Sequence, residues 1–368
     1  MKLVTPRERF LHHLQLAAAV CPTRSPRPIL QDVLLTAGKG FVELLATDGE
    51  VSVRTRLEDE AIQGDGSIAL PATTLLSAVR SMTGDQVKIE PKGSLHEISS
   101  ASAVFKLNGD EPEMFPSVPA LETSKGVDVP LPAFLDLCQR TMFAAAREMG
   151  RYAFNGVLVE VDPEEITLVA TDGRRLALAR MKCATGIAER QSRILPLKGL
   201  TQLHKAGADL DDEAVLRIGM LENQVSFALP GTEIIAQLIE GEFPDFRAVL
   251  PKDKDVPKIV RMDTSELASA IRRAAVTAGE GARSIELAFE NGSLRVCSRQ
   301  EGVGEAKSEM AIEYEGEPVG IRFNPEFIGE YLRSLPEPQV AFRFKDRASA
   351  GFFTSKDESL YVVMPITS

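Results

Sequence analysis

The sequence is poor in the side chains that most active sites and metal centres use. It holds no tryptophan, 4 tyrosines, 4 histidines and 4 cysteines among 368 residues. Cys21, Cys138, Cys183 and Cys297 form no Cys-x-x-Cys pair and have no neighbouring histidine. Spacing and density therefore exclude a zinc cluster or a disulfide framework, and the four are expected to be small buried hydrophobes in a reducing compartment. His12 and His13 are adjacent, His96 and His204 stand apart, and His-Glu-x-x-His is missing. There is no Gly-x-x-x-x-Gly-Lys-Ser/Thr loop and no Gly-x-Ser-x-Gly elbow. Gly279-Glu280-Gly281 leaves a helical stretch instead of opening one, so it reads as a turn. No apolar run approaches the roughly 18 residues of a membrane span. The opening Met1-Lys2-Leu3-Val4-Thr5-Pro6 lacks the apolar stretch of a secretion signal. These absences predict a cytoplasmic protein with no membrane partner, no cofactor, no metal and no catalytic residues, hence not an enzyme by itself.

Charge narrows the partners. Lys and Arg total 42 against 53 Asp and Glu, a net −11. Proteins that coat nucleic acid are usually basic, because phosphate neutralisation supplies most of their affinity. This chain can hold a polyanion only by sorting its charges onto different surfaces. Its 17 phenylalanines fall mostly at core-like positions, so stacking on single-stranded bases is not the favoured mode.

What the chain does have is an internal repeat. Ala46-Thr47-Asp48-Gly49 recurs as Ala170-Thr171-Asp172-Gly173, and Ile29-Leu30-Gln31-Asp32-Val33-Leu34-Leu35 answers to Ala153-Phe154-Asn155-Gly156-Val157-Leu158-Val159. Downstream, Asp110-Glu111-Pro112-Glu113-Met114-Phe115-Pro116 matches Ile239-Glu240-Gly241-Glu242-Phe243-Pro244 in the same order. A third, diverged copy shows strand alternation in Ser284-Ile285-Glu286-Leu287-Ala288-Phe289 and a turn at Glu290-Asn291-Gly292-Ser293. The boundaries give domains at 1–124, 125–254 and 255–368, with Pro251-Lys252-Asp253-Lys254-Asp255-Val256-Pro257 as a linker. Each unit opens with a helical pattern: Phe10, Leu11, Leu14 and Ala18; Phe134, Leu135, Cys138 and Met142; Leu267, Ala268, Ile271 and Ala275, the last capped by Thr264 or Ser265. A second helix falls mid-unit around Leu75 and Val79, Leu200 and Leu203, and Ile328 and Leu332. The rest is strand-like, which makes each unit an α+β domain.

Asp48 and Asp172 are paired carboxylates in a repeated motif, the kind of pair that can hold Mg²⁺. Each sits in an equivalent Thr-Asp-Gly turn of a different repeat, and aspartate in a turn commonly bonds its own backbone. The structural role is favoured. Basic residues outnumber acidic ones along the helices and their flanks, an arrangement suited to holding duplex DNA without reading its sequence. A three-repeat DNA-processing hydrolase and a protein-binding scaffold remain alternatives.

Arg151-Tyr152-Ala153-Phe154-Asn155-Gly156, Ala170-Thr171-Asp172-Gly173-Arg174-Arg175-Leu176-Ala177, Gly241-Glu242-Phe243-Pro244-Asp245-Phe246-Arg247 and Tyr361-Val362-Val363-Met364-Pro365 resemble the bacterial DNA polymerase III β subunit family of sliding clamps. The resemblance is collinear across essentially the whole chain. It implies a DNA clamp fold of three similar domains, with sheets outside and two helices per domain inside, and a head-to-tail homodimer closed into a ring around double-stranded DNA. It further implies tethering of the DNA polymerase III catalytic subunit and of other clamp-motif peptides, with an ATP-dependent clamp loader to open the ring. Carried over position by position, the partner-peptide cleft comprises Phe154, Thr171, Gly173, Arg174, Arg175, Leu176, Pro244, Val249, Val362, Met364 and Pro365, with Arg as a polar rim. DNA contact falls to Arg24, Arg27, Arg80, Arg147, Arg151 and Lys198. The dimer interface falls to Phe105, Leu107, Val276 and Arg283. Arg174 stands where the family commonly has His, and Phe154 where Leu is common.

Overall fold

Alternation along the chain decides where strands form. In Ile285–Glu290 the apolar Ile285, Leu287 and Phe289 are buried while the residues between them are half-exposed, as one covered sheet face requires. The computed structural model describes residues 1–119, 126–147, 152–252, 256–279, 284–355 and 359–367. Among these lie six α-helices: α1 (Arg7–Ala18), α2 (Ala72–Ser81), α3 (Leu131–Thr141), α4 (Leu197–Gly207), α5 (Thr264–Ala275) and α6 (Pro325–Ser334). Expected and observed helices coincide except that Met142 falls just past the end of α3, and the buried faces are turned slightly. In α1 Leu16 and Ala17 are buried with Phe10 and Leu14, whereas Leu11 and Ala18 are half-buried. In α5 Ala270 and Ala274 join Leu267 and Ile271, whereas Ala268 and Ala275 do not. The α5 cap is Asp263, one residue before the expected Thr264, and its carboxylate accepts from Glu266 N at 2.8 Å. A charged acceptor at the helix start outcompetes a hydroxyl.

Packing divides the chain into two compact units. The first joins Met1–Pro132 to Lys198–Leu238, and the second joins Ala133–Leu197 to Ile239–Ser368. The middle of the sequence therefore contributes to both. Unit 1 is built on a sheet of 12 strands that runs from the edge strand Ala103–Leu107 to Val127–Pro130. Its continuity depends on Thr232–Gln237 pairing antiparallel with Val51–Glu58, with Thr232 opposite Thr55. Helix α1 packs on α2 and on the strands Phe41–Thr47 and Val51–Glu58.

Unit 2 carries an 8-stranded sheet and a 4-stranded sheet. The larger one is continuous through an equivalent seam, in which Ser359–Val363 pairs antiparallel with Arg175–Lys182 and Leu176 faces Val362. The smaller one is made by Gly304–Ala311, Ser293–Gln300, Ile285–Glu290 and Val319–Phe323, with α5 packed over it. Here the phenylalanines are used. Phe289, Phe323, Phe342, Phe344 and Phe353 are fully buried, and Tyr331 stacks on Tyr361 at 4.5 Å between ring centroids. The cysteine expectation needs correcting: Cys138 is buried, but Cys21, Cys183 and Cys297 are half-exposed. The linker residues 253–255 and Glu280-Gly281 lie outside the described residues.

Candidate functional site

The two Thr-Asp-Gly turns have the same construction. Thr47 Oγ1 accepts from Gly49 N at 3.1 Å, and Asp48 Oδ1 accepts from Glu50 N at 2.9 Å and Val51 N at 2.7 Å. In the second repeat Thr171 Oγ1 accepts from Gly173 N at 3.1 Å, and Asp172 Oδ1 accepts from Arg174 N at 2.9 Å and Arg175 N at 3.0 Å. Gly49 and Gly173 have φ of 95° and 86°, which only glycine adopts without strain. Asp48 and Asp172 are thus turn-makers, and among the described residues no three His, Cys, Asp or Glu side chains gather as metal ligands.

Each turn is also tied to a helix by an ion pair. In unit 1 the Lys198 ammonium at the start of α4 pairs with Asp48 and donates to the Val20 carbonyl at 3.1 Å. Burial pushes the Asp48 carboxyl up, but the bonds from Lys198 and from the Val51 and Glu50 amides outweigh it and hold the group below the usual carboxylate range. In unit 2 the link runs through Arg175. Its Nε donates to Asp172 Oδ2 at 3.0 Å, one terminal nitrogen to Glu330 Oε2 of α6 at 2.5 Å, and the other to the Phe143 carbonyl at 2.8 Å. The guanidinium lies 4.3 Å from the Phe327 ring centroid. Burial opposes its charge, yet Tyr361, Glu330 and Asp172 together raise its pKa.

This corrects the expectation of a rim. Arg175 is a buried hub, and only Arg174 among the two is exposed. The remaining cleft candidates fall into two neighbouring groups. Phe154, Arg174 and Arg175 line a groove of about 520 Å³ together with Ala145, Arg147, Asp172 and Phe327. A Cβ at Gly173 would meet the Phe154 ring at 3.8 Å, an ordinary contact, so the φ of 86° and not crowding calls for glycine here. Leu176 and Val362 are buried in an apolar cluster with Leu158, Val169, Ile194, Phe246 and Phe352. Of the other candidates, Pro244 is exposed, Val249 is 49% exposed and Met364 50% exposed. The two groups are joined by the seam, where Met364 N donates to the Arg174 carbonyl at 2.9 Å. Thr171 is buried and Pro365 half-buried. Asp172 was legible as a turn residue, whereas Glu330, Phe246 and Ile194 were not legible as parts of the site, because no local pattern marks their distant partners.

The cations proposed for DNA differ in what they touch. Arg24, Arg27 and Arg80 are exposed and carry no ion pair among the described residues. Arg147 is exposed but pairs with Glu330 at 2.8 Å. Lys198 pairs with Asp48 and donates to the Val20 carbonyl. Phe105 and Leu107 are half-buried on Ala103–Leu107, which among the described residues pairs only with Leu95–Ser100 and forms a sheet edge. Val276, just past α5, is 78% exposed. Arg151 and Arg283 lie outside the described residues.

Comparison with known proteins follows the same repeats. Family models described as the N-terminal, central and C-terminal domains of the DNA polymerase III beta subunit match residues 1–119, 128–245 and 247–367. The chain is 30% identical over 371 residues to the beta sliding clamp of Pseudomonas aeruginosa, covering 100% of both, and 28% identical over 367 residues to that of Chlamydia pneumoniae, covering 100% of this chain and 99% of the other. Its structure is similar, with a TM-score of 0.90 at 29% identity and 100% coverage of both chains, to a crystal structure of the Pseudomonas aeruginosa clamp bound to griselimycin.

Proposed function

Because the chain belongs to the bacterial DNA polymerase III β subunit family, the sliding clamps, we propose that it closes into a head-to-tail homodimeric ring around duplex DNA and tethers the replicative polymerase there. The observation that carries this reading is the end-to-end match, with all three family segments in order and full-length relatives. Two surface features fit it. Ala103–Leu107 offers an unpaired edge with Val104 55% exposed, and Val276 offers an exposed apolar side chain; an edge strand of this kind is suited to pairing with a second copy. Arg24, Arg27 and Arg80, exposed and without ion pairs among the described residues, provide cations for phosphates.

Such a ring holds DNA by enclosing it. Its contacts need little energy of their own, so they can be few, hydrated and salt-sensitive, which permits sliding. A polymerase bound to the ring then meets DNA at a high effective concentration and continues copying. The peptide that anchors the polymerase is assigned to the cleft: Leu176 and Val362 form the floor, Pro244, Val249 and Met364 the exposed walls. Thioether flexibility at Met364 suits partners of differing shape. A clamp loader that uses ATP must open the ring, and the chain acts in the cytoplasm, where that DNA lies.

The test uses topology. Protein loaded onto a closed DNA circle should survive a high-salt wash and be lost when the circle is cut. Equal loss from closed and cut DNA would refute enclosure. Sedimentation giving a stable single-chain mass under loading conditions would refute the ring.

A further inference from the structure

We propose that Arg174 makes the cleft selective for peptides that place a carboxylate beside their apolar anchors; this rests on the cleft reading above and specifies the chemistry of its ligand. The basis is how the cations of the groove are used. Arg175 is committed to Asp172, Glu330 and the Phe143 carbonyl, and Arg147 to Glu330. Arg174 is exposed, lines the same groove, and has no ion pair or side-chain hydrogen bond among the described residues.

Its place is fixed by backbone. Arg174 N donates to Asp172 Oδ1 at 2.9 Å, and its carbonyl accepts from Met364 N at 2.9 Å. A guanidinium with no ion pair among the described residues is thereby held on a tight turn, two residues before the buried Leu176 and directly beside the half-exposed Met364. The fold does not demand a cation there. In unit 1 the same turn position is Glu50, whose carbonyl accepts from Gln237 N at 2.8 Å, the counterpart of the Met364 bond. Identical backbone geometry accepts either sign of charge, so the charge at Arg174 is free to serve recognition.

A peptide seated on Leu176, Val362 and Met364 partly dehydrates Arg174. A neutral neighbour leaves the guanidinium without a partner, whereas a carboxylate can accept two parallel N–H bonds from it. A lysine there is repelled. Selectivity thus has an attractive and a repulsive part.

The experiment uses the full chain and three labelled octapeptides, acetylated and amidated, each with a central Leu-Ala-Leu flanked on both sides by Asp, Asn or Lys. At low salt the Asp peptide should bind about 2- to 5-fold more tightly than the Asn peptide, the range of a partly exposed ion pair, and the Lys peptide more weakly than either. The Asp advantage should shrink between about 50 mM and 0.5 M salt. Arg174→Gln keeps both backbone bonds and should bring the Asp and Asn peptides to equal affinity, while Arg174→Glu should invert their order. Equal binding of the Asp and Asn peptides by the unaltered chain, or a preference that survives Arg174→Gln, overturns the role of Arg174 and leaves the cleft standing. Binding of all three that is unaffected by Leu176→Ala with Met364→Ala overturns the cleft and the proposal together.

Discussion

Removing the Arg175 guanidinium tests whether the cleft floor is held by a buried charge network. Arg175 is 6% exposed, and its acidic partners Glu330 and Asp172 are 10% and 18% exposed at their side chains. Arg175→Ala strips three hydrogen bonds and the stacking on Phe327, and leaves both carboxylates poorly solvated. Breaking a buried pair from one side costs about 3–5 kcal/mol. Here the lower end applies, because Asp172 keeps two backbone amides and Glu330 keeps Arg147; the expected loss is about 3 kcal/mol. Arg175→Lys retains the charge, but one ammonium cannot reach three acceptors that a planar fork meets at once, so about half of the loss should remain. Adding Glu330→Gln to Arg175→Ala should restore about 1 kcal/mol, since one orphaned charge disappears. The assay is urea unfolding followed by circular dichroism. Two compact units need not unfold together, so the transition to read is the one that the substitution shifts. Arg175→Ala within about 0.5 kcal/mol of the unaltered chain, the ordinary range of a surface change, would refute a buried hub.

Asp32 gives a pH-dependent counterpart. It is 6% exposed, and burial, then the charge and hydrogen bond of Asp110, push its carboxyl from 3.8 up to about 6. An acid whose folded pKa is raised binds a proton more tightly when folded, so it adds stability as pH falls from about 6 towards 3.8 and costs stability above about 6. Asp32→Asn should therefore raise stability by about 1–3 kcal/mol at pH 7.5 and by almost nothing near pH 4; equal urea midpoint shifts at both would sink the argument. For the cleft, Leu176→Ala with Met364→Ala should weaken polymerase binding in a pull-down or polarisation assay while the oligomeric state in sedimentation stays unchanged. Undiminished binding would place the partner site elsewhere.

What could be read in the sequence was whatever depends on near neighbours. Strand alternation, helix periodicity and the two Thr-Asp-Gly turns are local, and each appears where the residues placed it. The α5 cap missed by one residue because Asp263, Thr264 and Ser265 are all capping types, and only geometry shows which oxygen meets Glu266 N. Charge pairing was illegible for a different reason. Arg175 and Glu330 are 155 residues apart, as Lys198 and Asp48 are 150 apart. Nothing local marks an arginine as buried when its compensating carboxylate comes from a distant helix. An exposed rim was the natural reading of both arginines, and it holds only for Arg174.

The repeat bears on the proposed peptide cleft, because the backbone builds the seam beside it twice. In unit 2, Leu176 opposes Val362 and Met364 follows; in unit 1, Ser52 opposes Ile235 and Gln237 follows. Ser52 turns its hydroxyl to Thr47 Oγ1 at 2.8 Å, and Gln237 is exposed. A leucine wall exchanged for a hydroxyl, and an exposed thioether for an amide, removes apolar area from the place where a peptide anchor would sit, at roughly 25 cal/mol per Å². The hydroxyl and the amide must also be dehydrated by any apolar guest. The unit 1 cluster of Leu45, Ala69 and Phe115 includes neither Ser52 nor Ile235, whereas the unit 2 cluster includes both Leu176 and Val362. The same turn, the same seam hydrogen bond and the same glycine thus frame two surfaces, and the side chains at three positions, Arg174, Leu176 and Met364 against Glu50, Ser52 and Gln237, decide that only one of them offers hydrophobic anchorage next to a free positive charge.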